Sequence, residues 1–304
     1  MLENQKVKPS EIGLLTWGAW FRDVSEKMFI EFLETYHRIE DGKYAPVLAG
    51  IIHQYVEIHS DFIDDAKDIL LEYLSAPGIF EDPNTMTLYH WDALSTDFMD
   101  RFNDTVPYFL DLILDILSRE NYADIEPYPR KKLRDFLEKD LENTWNKIKD
   151  ALLGNDLLAW NLTEILRGDY GSFRRGKNSP LGLIPEAYIL RWVGENPDEA
   201  PYVLARMVPL HESEPILHPL AKRLLVEYPD NEDIASALSA NWHTEGWVGP
   251  MSAHFQEKLE IAERWTRDPE PSVVKWAGLE VKRLKEEYKE LKRREEEGFP
   301  HSWN

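Results

Sequence analysis

The chain has 304 residues, 43% of them hydrophobic and 12% aromatic, with 56 Asp and Glu against 35 Lys and Arg, a net charge of −21, and no cysteine. This length and composition provide for one or two packed cores and exclude wholesale disorder, while the missing thiols exclude disulfide staples, thiolate metal sites and a cysteine nucleophile. The acidic balance argues against nucleic-acid binding, which rests on clustered Lys and Arg. No stretch reaches the roughly 20 apolar residues that span a bilayer, and the opening MLENQKVKPSEIG lacks the apolar run of a secretory signal. A cytoplasmic protein without membrane association is therefore expected.

In chain order, MFIEFLETYHR, DDAKDILLEYL and VPYFLDLILDIL place apolar residues three and four apart with acids opposite, which predicts amphipathic helices. Turn chemistry separates them at Glu40-Asp41-Gly42, Ser75-Ala76-Pro77-Gly78 and Glu81-Asp82-Pro83-Asn84. Strand alternation is absent, so an all-α fold follows. The window from His53 to Glu126 holds 17 acids and three bases. It reads as a solvated face or as a docking surface for a basic partner.

One long charged helix is predicted from Pro129 through Asp150, then a shorter one from Asn155 to Arg167, ending at Gly168. YGSFRRGKNSP, from Tyr170 to Pro180, holds three bases and no acid and reads as a loop at a boundary. The expected organisation is a less regular helical half over 1–170, a basic loop over 171–180, and regular hairpins over 181–304. Their helices are expected at Pro185 to Gly194, Pro197 to Met207, Ile216 to Glu227, Asn231 to Ser239, Met251 to Thr266 and Ser272 to about Glu297.

A pattern recurs three times in that last third: Pro197-Asp198 with Tyr202 and Ala205, Pro229-Asp230 with Ile234 and Ala237, and Pro269-Glu270 with Val274 and Ala277. The apolar residue follows the proline by five positions and the alanine by eight, on one face of a helix that starts just after the proline. Spacings of 32 and 40 residues between the prolines suit stacked helical hairpins. DPEPSVVKWAGLEVKRL resembles the second half of a HEAT-like motif, which implies an α-solenoid closed by the charged last helix. The stretch from Leu152 onward, with SALSANWHTEGWVGPMSAHFQEKLEIAERW, is similar to C-terminal helical regions of bacterial antiphage defence proteins, including STAND-type NTPases. That resemblance implies a sensor or interaction platform. No Walker-type glycine loop is present, so no nucleotide cofactor is expected.

His53, Glu57 and Asp61 stand four apart, a spacing compatible with a divalent metal or with a solvated helix face. Asp61, Asp64, Asp65 and Asp68 resemble the aspartate-rich motif of all-α terpene and prenyl synthases, which implies magnesium bound against a diphosphate, although Lys67 interrupts it. Asn103-Asp104-Thr105 resembles the start of their second motif, with Pro107 close behind. No G-x-S-x-G elbow occurs, and prolines separate His211 and His218 around Glu212 and Glu214.

Two loops stand out for binding. Trp242, His243 and Trp247 lie in a glycine-punctuated connection, where the rings either fold back over a hairpin or present a recognition loop. Arg174, Arg175 and Lys177 form a basic patch that could clamp a carboxylate or phosphate, or meet the acidic N-terminal face of a second copy. The expected function is noncatalytic recognition of a protein partner, basic in character, with self-association or a magnesium-dependent diphosphate enzyme as alternatives.

Overall fold

The computed structural model describes residues 24–37, 45–75, 80, 85–119, 127–154, 156–168, 179–211, 215–243 and 250–297. Among them are 15 α-helices, two short 3-10 turns and no strand. None of these helices is long and apolar enough to cross a membrane. The chain divides into two compact units, 1–147 and 148–304, each described here by itself.

In the first unit, α1 (Glu26–His37), α2 (Ala45–Ile58), α3 (Phe62–Asp65) and α4 (Lys67–Leu74) precede α5 (Thr85–Arg101), α6 (Val106–Leu117) and α7 (Pro127–Lys139). The stretch read as DDAKDILLEYL is divided at Ala66, which ends α3 and precedes α4. Pro107 lies in the first turn of α6, where its missing N–H has no partner to lose. This helix buries Val106, Phe109, Leu110, Leu112, Ile113, Ile116 and Leu117, each worth about 1.5–3 kcal/mol when fully removed from water. Phe29, Tyr55 and Phe62 form an aromatic core in which the first two rings stack at 4.0 Å. The Tyr55 hydroxyl donates to the Val24 carbonyl and the Trp91 indole to that of Leu74, so the polar edges of both buried rings are satisfied.

A charged residue occupies this core. Lys132 on α7 is fully buried; its Nζ donates to the Asp92 carbonyl at 2.8 Å and to Thr96 Oγ1 at 2.6 Å. It also stands 3.0 Å from Asp92 Oδ1 and 3.7 Å from Asp135, while Lys131 pairs with Asp92 from outside. Burial pushes the Lys132 pKa down against the opposing pull of Asp92, and burial pushes that of Asp135 up against Lys132 and Lys131.

The expected single helix from Pro129 to Asp150 is instead two, α7 and α8 (Leu141–Ala151), broken at Asp140. The Asp140 carboxylate accepts from the Asn143 N–H and side chain, so a capping residue competes with helix continuation there. The division between the units falls within α8, ahead of the predicted boundary loop.

The second unit continues with α9 (Leu157–Arg167), α10 (Glu186–Glu195), α11 (Ala200–Met207), α12 (Pro219–Glu227), α13 (Glu232–His243), α14 (Met251–Trp265) and α15 (Pro271–Glu296). Asp156 caps α9 by accepting from the Ala159 N–H at 2.9 Å, and Asn231 caps α13 through Asp233 and Ile234. Gly168 ends α9 at φ 95°, a backbone state that L side chains resist, and a Cβ there would lie 3.3 Å from Ser179 Cα. Ser179 in turn donates its hydroxyl to the Leu166 carbonyl.

Helix α11 packs on α9, α10 and α13; α12 packs on α13 and α15; and α14 lies along α15. Ala205, Ala237 and Ala277 are all buried, which lets neighbouring backbones approach closely. Of the apolar partners five residues after each proline, Ile234 is buried and Val274 half-buried, but Tyr202 is 44% exposed. Asn241 on α13 donates to the Ala205 and Val208 carbonyls, satisfying acceptors at the end of α11. Trp276 on α15 donates to Ser239 Oγ and the Ala235 carbonyl on α13.

Candidate functional site

Trp242 is not available as a surface anchor. It lies in the last turn of α13, completely buried, with its ring 4.8 Å from that of Trp265 and 6.4 Å from that of Trp276. Lys258 donates to its carbonyl at 2.5 Å and holds that helix end in place. The helix runs beyond the expected end at Ser239 because Asn241 and Trp242 both have partners on neighbouring helices. His243, half-buried, meets Glu280 at 2.9 Å, and the other Glu280 oxygen accepts from Ser239 at 2.7 Å. Burial alone would raise the Glu280 pKa, but the hydrogen bonds from His243 and Ser239, with the Arg283 charge, outweigh it and hold it below the usual carboxylate range. This trio joins α13 to α15. Trp247, Arg174, Arg175 and Lys177 lie outside the described residues.

The aspartates of the magnesium reading are dispersed. Asp61 precedes α3, Asp64 is bound to Arg101 at 2.7 Å, and Asp65 and Asp68 are exposed on different helices. Lys67 pairs with Asp104 in the turn Asn103–Thr105 at 3.0 Å. The 53/57/61 stripe is interrupted because α2 ends at Ile58. His53 Nδ1 instead meets His90 Nδ1 on α5 at 2.9 Å. Among the described residues, no three His, Asp or Glu are grouped so as to hold a metal ion. His218 caps α12 by accepting from the Leu220 N–H at 3.3 Å, and His211 lies beside Trp265, so these two histidines serve the packing of the second unit.

The second unit carries an open cleft of about 770 Å³ across the N-terminal ends of α9, α11 and α13. Its wall carries Trp160 and Tyr202, 53% and 44% exposed, with the buried Ile234 beneath. The Arg206 guanidinium lies 4.6 Å from the centre of the Trp160 ring. Asp156, Asp198, Glu199 and Asp233 stand at the three helix starts, a placement that the helix dipoles favour. Asp156 makes its capping bond, all four residues are exposed, and Asp198, Glu199 and Asp233 have no ion-pair partner among the described residues.

Local folding accounts for each member. On α9 the buried face runs through Ala159, Leu162, Ile165 and Leu166, and Trp160 lies off it. The exposed Tyr202 takes the position that Ile234 fills in the next copy, so the repeat presents an aromatic ring to the cleft in one copy and an apolar floor in the other. Of the cleft, the recurring pattern marks only Asp198, Tyr202 and Ile234 in the sequence; Trp160, Arg206 and the other rim carboxylates carry no motif, and the visible signal is a tryptophan off the apolar stripe. Comparison with protein-family models, curated proteins and solved structures finds no match.

Proposed function

We propose that the chain is a noncatalytic recognition protein, a scaffold or sensor, whose second unit binds a protein partner in the cleft between α9, α11 and α13. The observation that carries this reading is the grouping of exposed Trp160 and Tyr202 with Arg206 on one concave surface. These three residue types dominate binding energy at protein interfaces, because each combines a large contact area with a directional polar group. The pairing of α10 with α11, of α12 with α13 and of α14 with α15, with α11 packed on α13 and Trp276 of α15 bonded to α13, is consistent with HEAT-like hairpins stacked as a solenoid. A sensor platform of the kind found in antiphage defence proteins would present such a surface to its target.

The test is co-purification of the full chain from its native host, wild type beside a Trp160→Ala/Tyr202→Ala variant. A stoichiometric protein retained by the wild type and lost from an equally stable variant is the expected result. A set of bound proteins that is the same for both would remove the cleft from the recognition surface.

A further inference from the structure

We infer that the occupant of this cleft is an extended, basic segment of the partner, with an arginine or lysine side chain laid against Trp160 and Tyr202 and its charge among Asp198, Glu199 and Asp233. The inference rests on the recognition reading above and adds the chemistry of what is recognised.

Charge decides the sign of the ligand. Helix N-termini attract anions, each contributing about half a positive charge. Three such ends meet here, but four carboxylates stand against them, and among the described residues Arg206 is the single cationic side chain in the lining. The cleft therefore stays negative and repels a phosphate or carboxylate ligand. Some acids of this unit have cations, since Asp268 meets Lys222 at 2.8 Å, Glu263 meets Lys285 at 2.9 Å and Glu227 meets Arg223 at 2.6 Å, while others, such as Glu186, Glu195 and Glu232, have none among the described residues. Asp198, Glu199 and Asp233 also lack such a partner among the described residues, and they are set apart by lining one cleft together.

The aromatic rings supply the second half of the argument. A cation over an indole or phenol face is attracted by the ring quadrupole, and the stem of Lys or Arg covers the apolar surface at the same time. The fold already shows this chemistry at the site, since Arg206 lies on Trp160. Tyr202 presents a second ring beside the unpaired acids, and the cleft is open enough to receive a chain laid across it. Negative rim, exposed aromatic wall and open shape together fit an extended cationic segment.

The experiment uses a fluorescein-labelled peptide of three Gly-Arg-Ser repeats and its counterpart with citrulline in place of arginine, titrated with the full chain by fluorescence anisotropy. Citrulline keeps the shape of arginine and removes the charge. The arginine peptide is expected to bind at least about tenfold more tightly than the citrulline one. Asp198→Asn/Glu199→Gln/Asp233→Asn and, separately, Trp160→Ala are each expected to weaken it by a similar factor. Because the whole chain is strongly acidic, Asp61→Asn/Asp65→Asn/Asp68→Asn in the first unit serves as a charge-matched control that should leave affinity within about twofold. Equal binding of the two peptides, or equal losses in cleft and control variants, overturns the inference. If cross-linking places a neutral or acidic segment of a co-purified partner in the cleft, the basic occupant fails and the recognition reading stands. If no partner depends on Trp160 and Tyr202, both fall.

Discussion

The Nδ1 atoms of His53 and His90 meet at 2.9 Å across the contact between α2 and α5. One nitrogen must donate and the other accept, so the pair cannot carry a proton on both facing atoms. Burial first, and the neighbouring His53 second, lower the His90 pKa below the ordinary imidazole value, with Glu57 acting in the opposite sense. The unfolded chain therefore binds protons more readily at this residue than the folded one. Its contribution to stability is fully present above the ordinary imidazole pKa of about 6.5 and declines as the pH falls below it.

Between pH 7.5 and 5.5, above the range in which most carboxylates titrate, the wild-type melting temperature is expected to fall. His90→Gln should flatten that slope, and an unchanged slope would show that the pair does not govern it.

Lys132→Met is expected to cost about 3–5 kcal/mol in urea unfolding, because it leaves Asp92 and Asp135 in the interior without their inner cation. Adding Asp92→Asn should cost less than the sum of the two single changes, since the second removes the charge that the first stranded. Strict additivity would mean that Lys132 stabilises through its stem alone.

Two tryptophans should behave in opposite ways. Trp242→Ala removes a ring packed against the stacked pair Trp265 and Trp276 and should cost about 3–5 kcal/mol. Trp160→Ala should leave stability within about 0.5 kcal/mol, since the ring is half in solvent. A large loss from Trp160→Ala in chemical denaturation would recast it as a structural residue.

Glu280→Gln should lower stability by about 1.5–3 kcal/mol near neutral pH through the weakened bonds to His243 and Ser239. A carboxylate whose folded pKa is depressed stabilises above the unfolded value, and the benefit is lost as the pH falls through the folded one. The acid limb of the stability curve, followed by circular dichroism, should thus be shallower in the variant. Parallel limbs would contradict the depressed pKa.

Glycine replacements should separate helix propensity from packing. At Gly278 in α15 an added Cβ meets nothing within 4 Å, so Gly278→Ala should stabilise by about 0.5–1 kcal/mol. At Gly50 in α2 the Cβ would lie 3.1 Å from His90 Cδ2, on a ring already engaged by His53. Gly50→Ala should forfeit the propensity gain, and a thermal shift equal to that of Gly278→Ala would show that the ring can give way.

Helix starts were readable because they depend on neighbours in the chain: prolines near α11, α13 and α15, and the glycine after α9, act within one turn. The break at Asp140 escaped because Leu133, Phe136 and Leu137 continue into Thr144, Trp145 and Ile148 without losing helical spacing. There the capping carboxylate, and not the apolar stripe, marks the interruption. The choice between the two alternatives for Trp242 was not legible for a related reason. Its glycine-rich neighbourhood resembles a loop, but Asn241 reaches the end of α11 and draws another turn into helix. The cleft depends on α9 lying beside α11, a long-range relation that periodicity does not encode, so Trp160 could be seen as odd but not assigned a neighbour.

Gly168 and Ser179 lie side by side, and Ser179 is tied to Leu166, so residues 169–178 are joined to the described chain at two neighbouring points. Most of the entropy lost in closing such a loop depends only weakly on its length. This makes the segment a natural port in the chain: an epitope, a fluorescent domain or a new pair of termini can be placed there while the two anchored ends continue to hold α9 against the turn that follows.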